Sequence, residues 1–170
     1  RFIVLAVLMM TLAAFPALAA KRVALVIGNS AYQHTAKLSN PQNDASLMAK
    51  TLRRLGIDVL ARTNLTQIGM KIAITEFGDR LEKAGKDAVG LFYYAGHGIQ
   101  AKGNNYLIPI DAKLGKKSHL DIYGVNANWV VGQMEEAENP LNLMVLDACR
   151  DNPFGSSWKR GISKGLARMD

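Results

Sequence analysis

Short apolar runs alternate along this chain with stretches in which apolar side chains recur every three or four residues. Residues 22–27 form a nearly continuous apolar run that closes on Gly28, Asn29 and Ser30. A run of that length bounded by turn residues predicts a strand buried on both faces. Asn40 and Pro41 then open a helical pattern in which Ala45, Leu47, Met48, Leu52 and Leu55 form the expected apolar face, and Gly56 ends it. Residues 57–61 predict a second strand. Thr66 is placed to cap a second helix with Ile68, Ile72, Ile74, Phe77 and Leu81 as its apolar face and Gly85 beyond its end. Residues 88–94 predict a third strand. Residues 99–102 and 106–110 predict the arms of a β-hairpin around Gly103, Asn104 and Asn105. A helix is expected over residues 126–138, carrying Trp129, Val130 and Met134, and a fourth strand over residues 141–146. Beyond Cys149 no strand is evident, and Gly155, Gly161 and Gly165 among serines and lysines mark a loop.

Strand and helix alternate, which predicts an α/β fold with a largely parallel sheet flanked by helices. Ligands of such sheets bind beyond the carboxyl ends of the strands. Gly28, His97 and Cys149 each follow a predicted strand, so the pattern brings all three to one edge of the sheet. Cys149 is the chain's one cysteine, and His97 lies 52 residues before it between Gly96 and Gly98. A thiol and a glycine-flanked imidazole at neighbouring strand ends suggest a nucleophile and its base.

At 170 residues the chain is one domain with room for a real core, and at 49% hydrophobic and 21% charged it is globular in composition. The amino terminus stands apart. Residues 2–14 are almost wholly apolar, and Ala17 and Ala19 fit a small-residue cleavage site before Lys21 and Arg22. The run is short against the roughly 20 residues of a membrane span. It is expected to be a signal peptide over residues 1–20, sending the protein to a periplasm or outside the cell. An uncleaved segment is the alternative and the one expected link to a membrane. A single thiol cannot form an internal disulfide in such a compartment, which favours a reactive role for Cys149. The net charge of +7 draws on Lys159, Arg160, Lys164 and Arg168 in residues 155–170, a basic Gly/Ser-rich linker. Neither a nucleic-acid motif nor aromatic interleaving accompanies it, so no nucleic-acid partner is expected.

Four blocks resemble the caspase-like cysteine peptidases, most closely bacterial relatives of the metacaspases (orthocaspase-like chains). They are Val26-Ile27-Gly28-Asn29-Ser30-Ala31-Tyr32, Leu38-Ser39-Asn40-Pro41-Gln42-Asn43-Asp44-Ala45, Tyr93-Tyr94-Ala95-Gly96-His97-Gly98 and Asp147-Ala148-Cys149-Arg150. In caspases the catalytic histidine lies about 50 residues before an Ala-Cys-Arg tripeptide, and the spacing here is similar. Asp147 and Asp151 replace the flanking Gln and Gly. The resemblance covers residues 21–154, a p20-type catalytic domain. It implies a caspase-hemoglobinase fold and a further small-subunit-like region, expected to begin beyond Asp170.

The resemblance also implies roles. Cys149 is the nucleophile and His97 the general base and acid, with Gly96 and Gly98 leaving room for substrate. The backbone N–H groups of Gly98 and Cys149 form the oxyanion hole. Asp147, two residues before the nucleophile on one strand, shares its face and is expected to line the pocket beside the scissile bond. A carboxylate there selects Arg or Lys. Asp44 matches a second acid of basic-specific relatives, although a helix N-terminus accounts for an aspartate equally well. If the pocket takes basic residues, the tail is itself a candidate for cleavage. Some relatives need calcium held by clustered aspartates. Asp111 and Asp121 form no paired cluster, His34 and His119 have no metal-ligand spacing, and neither a metal nor a cofactor is expected.

The expected activity is therefore a cysteine-type endopeptidase acting on proteins or peptides after a basic residue. A catalytically silent, caspase-like interaction module is the alternative, but it predicts loss of His97 or Cys149, and both are present. A nucleotide binder is disfavoured because Gly28-Asn29-Ser30 forms neither a dinucleotide fingerprint nor a P-loop. A different acyl-transfer enzyme would use the same dyad, and only substrates separate the two.

Overall fold

The computed structural model describes residues 20–149, with Cys149 described through its backbone. The apolar segment of residues 1–19, Arg150, Asp151 and the basic stretch 155–170 lie outside the described residues. In chain order the elements are β1 (Arg22–Gly28), α1 (Pro41–Arg54), β2 (Asp58–Thr63), α2 (Gln67–Ala84), β3 (Val89–Ala101) and β4 (Asn104–Leu107). A 3₁₀ turn (Lys117–His119), α3 (Leu120–Tyr123), β5 (Val125–Asn126), α4 (Asn128–Glu136) and β6 (Leu141–Cys149) follow.

The sheet is built around β3. Its first part lies between β1 and β6, parallel to both, and β2 adds outside β1, also parallel. Its second part pairs antiparallel with β4, which pairs antiparallel with β5. The result is an α/β fold with a mixed six-stranded sheet and helices on both faces. Alternation along β1 shows why. Val23, Leu25 and Ile27 face Met70, Ile74 and Phe77 of α2 and Val130 and Met134 of α4. Ala24 and Val26 face Ala45, Ala49 and Leu52 of α1. With both faces covered, the strand must be apolar throughout, as the sequence pattern indicates. At about 1.5–3 kcal/mol for each large side chain buried, the α2 side supplies most of the driving force.

The helices hold their positions, but only part of each expected face is covered. Ala45 and Leu52 of α1 are buried as expected, together with Pro41 and Ala49, whereas Leu47 and, at the helix end, Leu55 are exposed. The small pair Ala45 and Ala49 lets the helix approach the sheet closely, which turns Leu47 outward. In α2, Ile74, Phe77 and Leu81 are buried as expected, together with Met70, Ala73 and Gly78, whereas Ile68 and Ile72 are exposed. The Thr66 side chain does cap α2, accepting from Gly69 N at 3.2 Å.

The third strand and the first hairpin arm are one strand, so β3 runs on through the glycines to Ala101. The hairpin turn is Lys102–Gly103 with φ of 52° and 78°, and Asn104 and Asn105 belong to β4 rather than to the turn. Two-residue hairpins favour positive φ at both central positions, which Gly103 adopts freely. Residues 125–126 form β5 instead of starting α4, and the Ala127 N–H donates to the Asn105 carbonyl. Among the described residues no helix is long and apolar enough to cross a membrane.

Candidate active site

Because β1, β3 and β6 are parallel and in register, their carboxyl ends rise together. Gly28 is level with Ala95, Ala95 with Asp147, and His97 with Cys149. Gly28 ends β1 and Cys149 is the last described residue of β6, whereas His97 lies inside β3 rather than in a loop after it. Adjacent strands lie about 4.8 Å apart, so the His97 and Cys149 backbones are nearest neighbours.

His97 is buried, and its backbone and ring are both held. Its N–H donates to the Tyr32 hydroxyl at 2.7 Å. That hydroxyl lies 3.2 Å from the Tyr94 hydroxyl, which is within reach of the His97 carbonyl at 2.9 Å and the Ile108 carbonyl at 3.1 Å. The Tyr32 and His97 rings are 4.5 Å apart. His97 Nε2 lies 2.9 Å from the Ala36 carbonyl oxygen. A carbonyl only accepts, so Nε2 carries the proton and Nδ1 keeps its lone pair. Nδ1 is buried and has no hydrogen-bond partner among the described residues. Burial holds the imidazole below its ordinary pKa of 6.5, opposed by the Ala36 carbonyl. Gly96 has no room for a side chain, since a Cβ would stand 2.6 Å from both the Tyr32 and the Tyr94 hydroxyls.

Gly98 comes next. The Ile108 N–H donates to the His97 carbonyl, which makes the Gly98–Leu107 pair a non-hydrogen-bonded pair of the antiparallel ladder. The Gly98 N–H therefore points away from β4. The Asn29 N–H donates to the Ala95 carbonyl, so strand alternation puts β4 on the β1 side and aims Gly98 toward the side where β6 ends.

A cavity of about 210 Å³ adjoins this edge, lined by Leu38, Ser39, Asn40, Pro41, Asp44, Ala95, Gly96 and Asp147. Asp44 reaches it because α1 begins directly over the end of β1. Gly28 permits this approach, since a Cβ there would stand 2.5 Å from the Pro41 carbonyl oxygen. Asp147 reaches it from β6. The Tyr93 hydroxyl donates to Asp147 Oδ2 at 3.2 Å. Burial, then Asp147, then Asp44 push the Tyr93 hydroxyl up to about 12. Two carboxylates from different elements thus share one small cavity, beside His97 and Cys149.

The supporting groups carry little sequence signal. The Ala36 carbonyl is backbone, and Tyr32, Tyr93 and Tyr94 look like ordinary core aromatics. Asn29 is fully buried: its Oδ1 accepts from Leu65 N at 2.9 Å, and its Nδ2 donates to the Ile108 carbonyl at 3.3 Å. Asp111 accepts from Gln67 N at the start of α2, and Asp121 accepts from the Tyr106 hydroxyl. His34 is exposed and His119 half-buried. Among the described residues no three His, Cys, Asp or Glu stand close enough to hold a metal ion. A larger cavity of about 390 Å³ lies at the opposite ends of the strands, lined by Lys21, Arg22, Asp58, Arg80 and Lys83. Arg22 bonds the Leu55 carbonyl and Arg80 pairs with Asp58 and Glu76, so the candidate site is the smaller, acidic cavity.

This arrangement is that of a caspase-like cysteine peptidase domain. Residues 21–166 match the caspase domain of peptidase family C14, and the chain belongs to that family. It is 37% identical over 133 residues to the human mucosa-associated lymphoid tissue lymphoma translocation protein 1, covering 78% of this chain and 15% of that protein. It is 38% identical over 149 residues to caspase-1-B of Xenopus laevis, covering 82% of this chain and 37% of that one. Mouse caspase-12 is 26% identical over 149 residues, covering 88% and 34%. The chain thus spans between 15% and 37% of the length of these relatives.

Proposed function

We propose that this chain carries the catalytic centre of a cysteine endopeptidase that cuts after Arg or Lys. The observation that carries the reading is the meeting of Asp44 and Asp147 in one cavity beside the His97–Cys149 register pair. His97 Nδ1 takes the Cys149 thiol proton, and the thiolate attacks the scissile carbonyl carbon. The oxyanion that forms is met by the N–H groups of Gly98 and Cys149. His97 returns the proton to the leaving amine, and water activated by His97 then hydrolyses the acyl-enzyme. Asp44 and Asp147 bind the basic side chain that precedes the cut. No metal takes part, so chelation is expected to leave kcat/KM unchanged. Residues 1–20 are proposed to direct export, which amino-terminal sequencing of the mature protein checks.

The test is hydrolysis of fluorogenic peptides ending in Arg, Lys or Asp, beside a Cys149→Ala control. Cleavage after Arg and Lys, abolished in the control, is expected. Cleavage after Asp alone would retain the dyad and overturn the roles of Asp44 and Asp147. A folded protein that cleaves no peptide would instead be an interaction module or use another acyl substrate.

A further inference from the structure

We propose that Tyr93 is a positioning residue of the acidic cavity, holding the Asp147 carboxylate in one plane so that the cavity prefers a guanidinium to an ammonium. This rests on the basic-residue reading above. Asp147 sits on β6, an edge strand of the described sheet, and is exposed. Among the described residues, its side-chain partner is the Tyr93 hydroxyl, at 3.2 Å on Oδ2. Tyr93 is itself fixed. Only 5% of it is exposed, and it belongs to the buried cluster formed by Ala24 and Val26 of β1 and Ala45 and Ala49 of α1. A fixed donor is therefore aimed at a carboxylate with no other side-chain partner among the described residues. The phenol keeps its proton until about pH 12, so it donates throughout the physiological range.

The consequence differs for the two basic side chains. A guanidinium is a rigid planar fork whose paired N–H groups gain most from a carboxylate already held in plane. An ammonium is a compact point charge with three rotatable donors, and it accepts a carboxylate in many orientations. The hydrogen bond from Tyr93 biases the Asp147 carboxylate toward the cavity. The phenol oxygen still has lone pairs to accept from a bound cation.

Tyr93→Phe removes the hydroxyl and keeps the ring that packs under α1. With Arg peptides, kcat/KM is expected to fall about tenfold through KM, and with Lys peptides about twofold, so the Arg:Lys ratio collapses while kcat holds. Agmatine, a guanidinium inhibitor, is expected to lose about tenfold in Ki, and cadaverine, an ammonium one, about twofold. In an Asp147→Asn background the same change is expected to cost nothing further. A preserved ratio, an equal loss for both residues, or additive losses in the double variant would overturn the role of Tyr93 and leave the acidic cavity standing. Parent protein that cleaves only after Asp, or not at all, would overturn the basic-residue reading and this inference with it.

Discussion

The Tyr32 hydroxyl accepts the backbone N–H of His97 at 2.7 Å, tying the loop after β1 to the middle of β3. The same hydroxyl touches that of Tyr94, so one buried phenol serves both the proposed base and its support. Tyr32→Phe removes this acceptor and leaves a buried N–H unpaired. An unsatisfied buried group costs about 1–3 kcal/mol, so urea unfolding is expected to show a loss of that size. Peptide hydrolysis is expected to lose kcat more than KM, because the imidazole, not the cavity, is displaced.

Gly96 is the point of closest packing beside the imidazole. A Cβ at 2.6 Å from two hydroxyls that are themselves hydrogen-bonded forces β3, Tyr32 or Tyr94 to move. Overpacking of this kind costs about 1–3 kcal/mol, so Gly96→Ala is expected to lower the urea midpoint and to abolish hydrolysis. An alanine variant with unchanged stability and rate would show that the tyrosine pair yields freely.

Burial favours neutral His97, so its folded pKa lies below 6.5. The unfolded chain then binds more protons as pH falls through 6.5 toward the folded value. His97 therefore contributes stability above pH 6.5 that is lost on acidification. Imidazole resonances followed by NMR in Cys149→Ala, where no thiolate couples to the ring, are expected to titrate below 6.5. A midpoint above that value would mean that the ring is better solvated than its burial indicates.

Tyr93 behaves in the opposite sense. Its folded pKa is raised from 10.0 to about 12, so the stability that it contributes is complete below pH 10 and is lost as pH rises toward 12. Tyr106, also raised to about 12, shares this late behaviour because of burial and its bond to Asp121. Ultraviolet absorbance titration of the folded protein is expected to show late-ionising phenols, one fewer in Tyr93→Phe.

Much of the fold can be read from the chain, and the exceptions have physical causes. The buried strands are legible because a strand covered on both faces must be apolar at every position, as residues 23–27 are. The capped start of α2 is legible because Thr66 has a local job. The helix faces are less so: Leu47, Ile68 and Ile72 fit an apolar periodicity yet face solvent, since the sheet selects which stripe is covered. The continuity of β3 through His97 is hidden because Gly96 and Gly98 look like a loop. There they serve close packing against Tyr32 and Tyr94 and the turn of the ladder toward β4.

The chemistry divides along the same line. Residue identity and local pattern brought an unpaired thiol, a glycine-flanked imidazole and an aspartate two positions before the thiol to one edge of an α/β chain's sheet. Those are short-range properties, written in neighbouring residues. That His97 is level with Cys149, that Asp44 and Asp147 line one cavity, and that the Tyr93 hydroxyl reaches the latter were decided by tertiary structure. Each of these relationships joins separate elements. Its existence depends on strand register and on the depth at which α1 settles over Gly28, which are set by packing of the whole sheet and not by any local run of sequence.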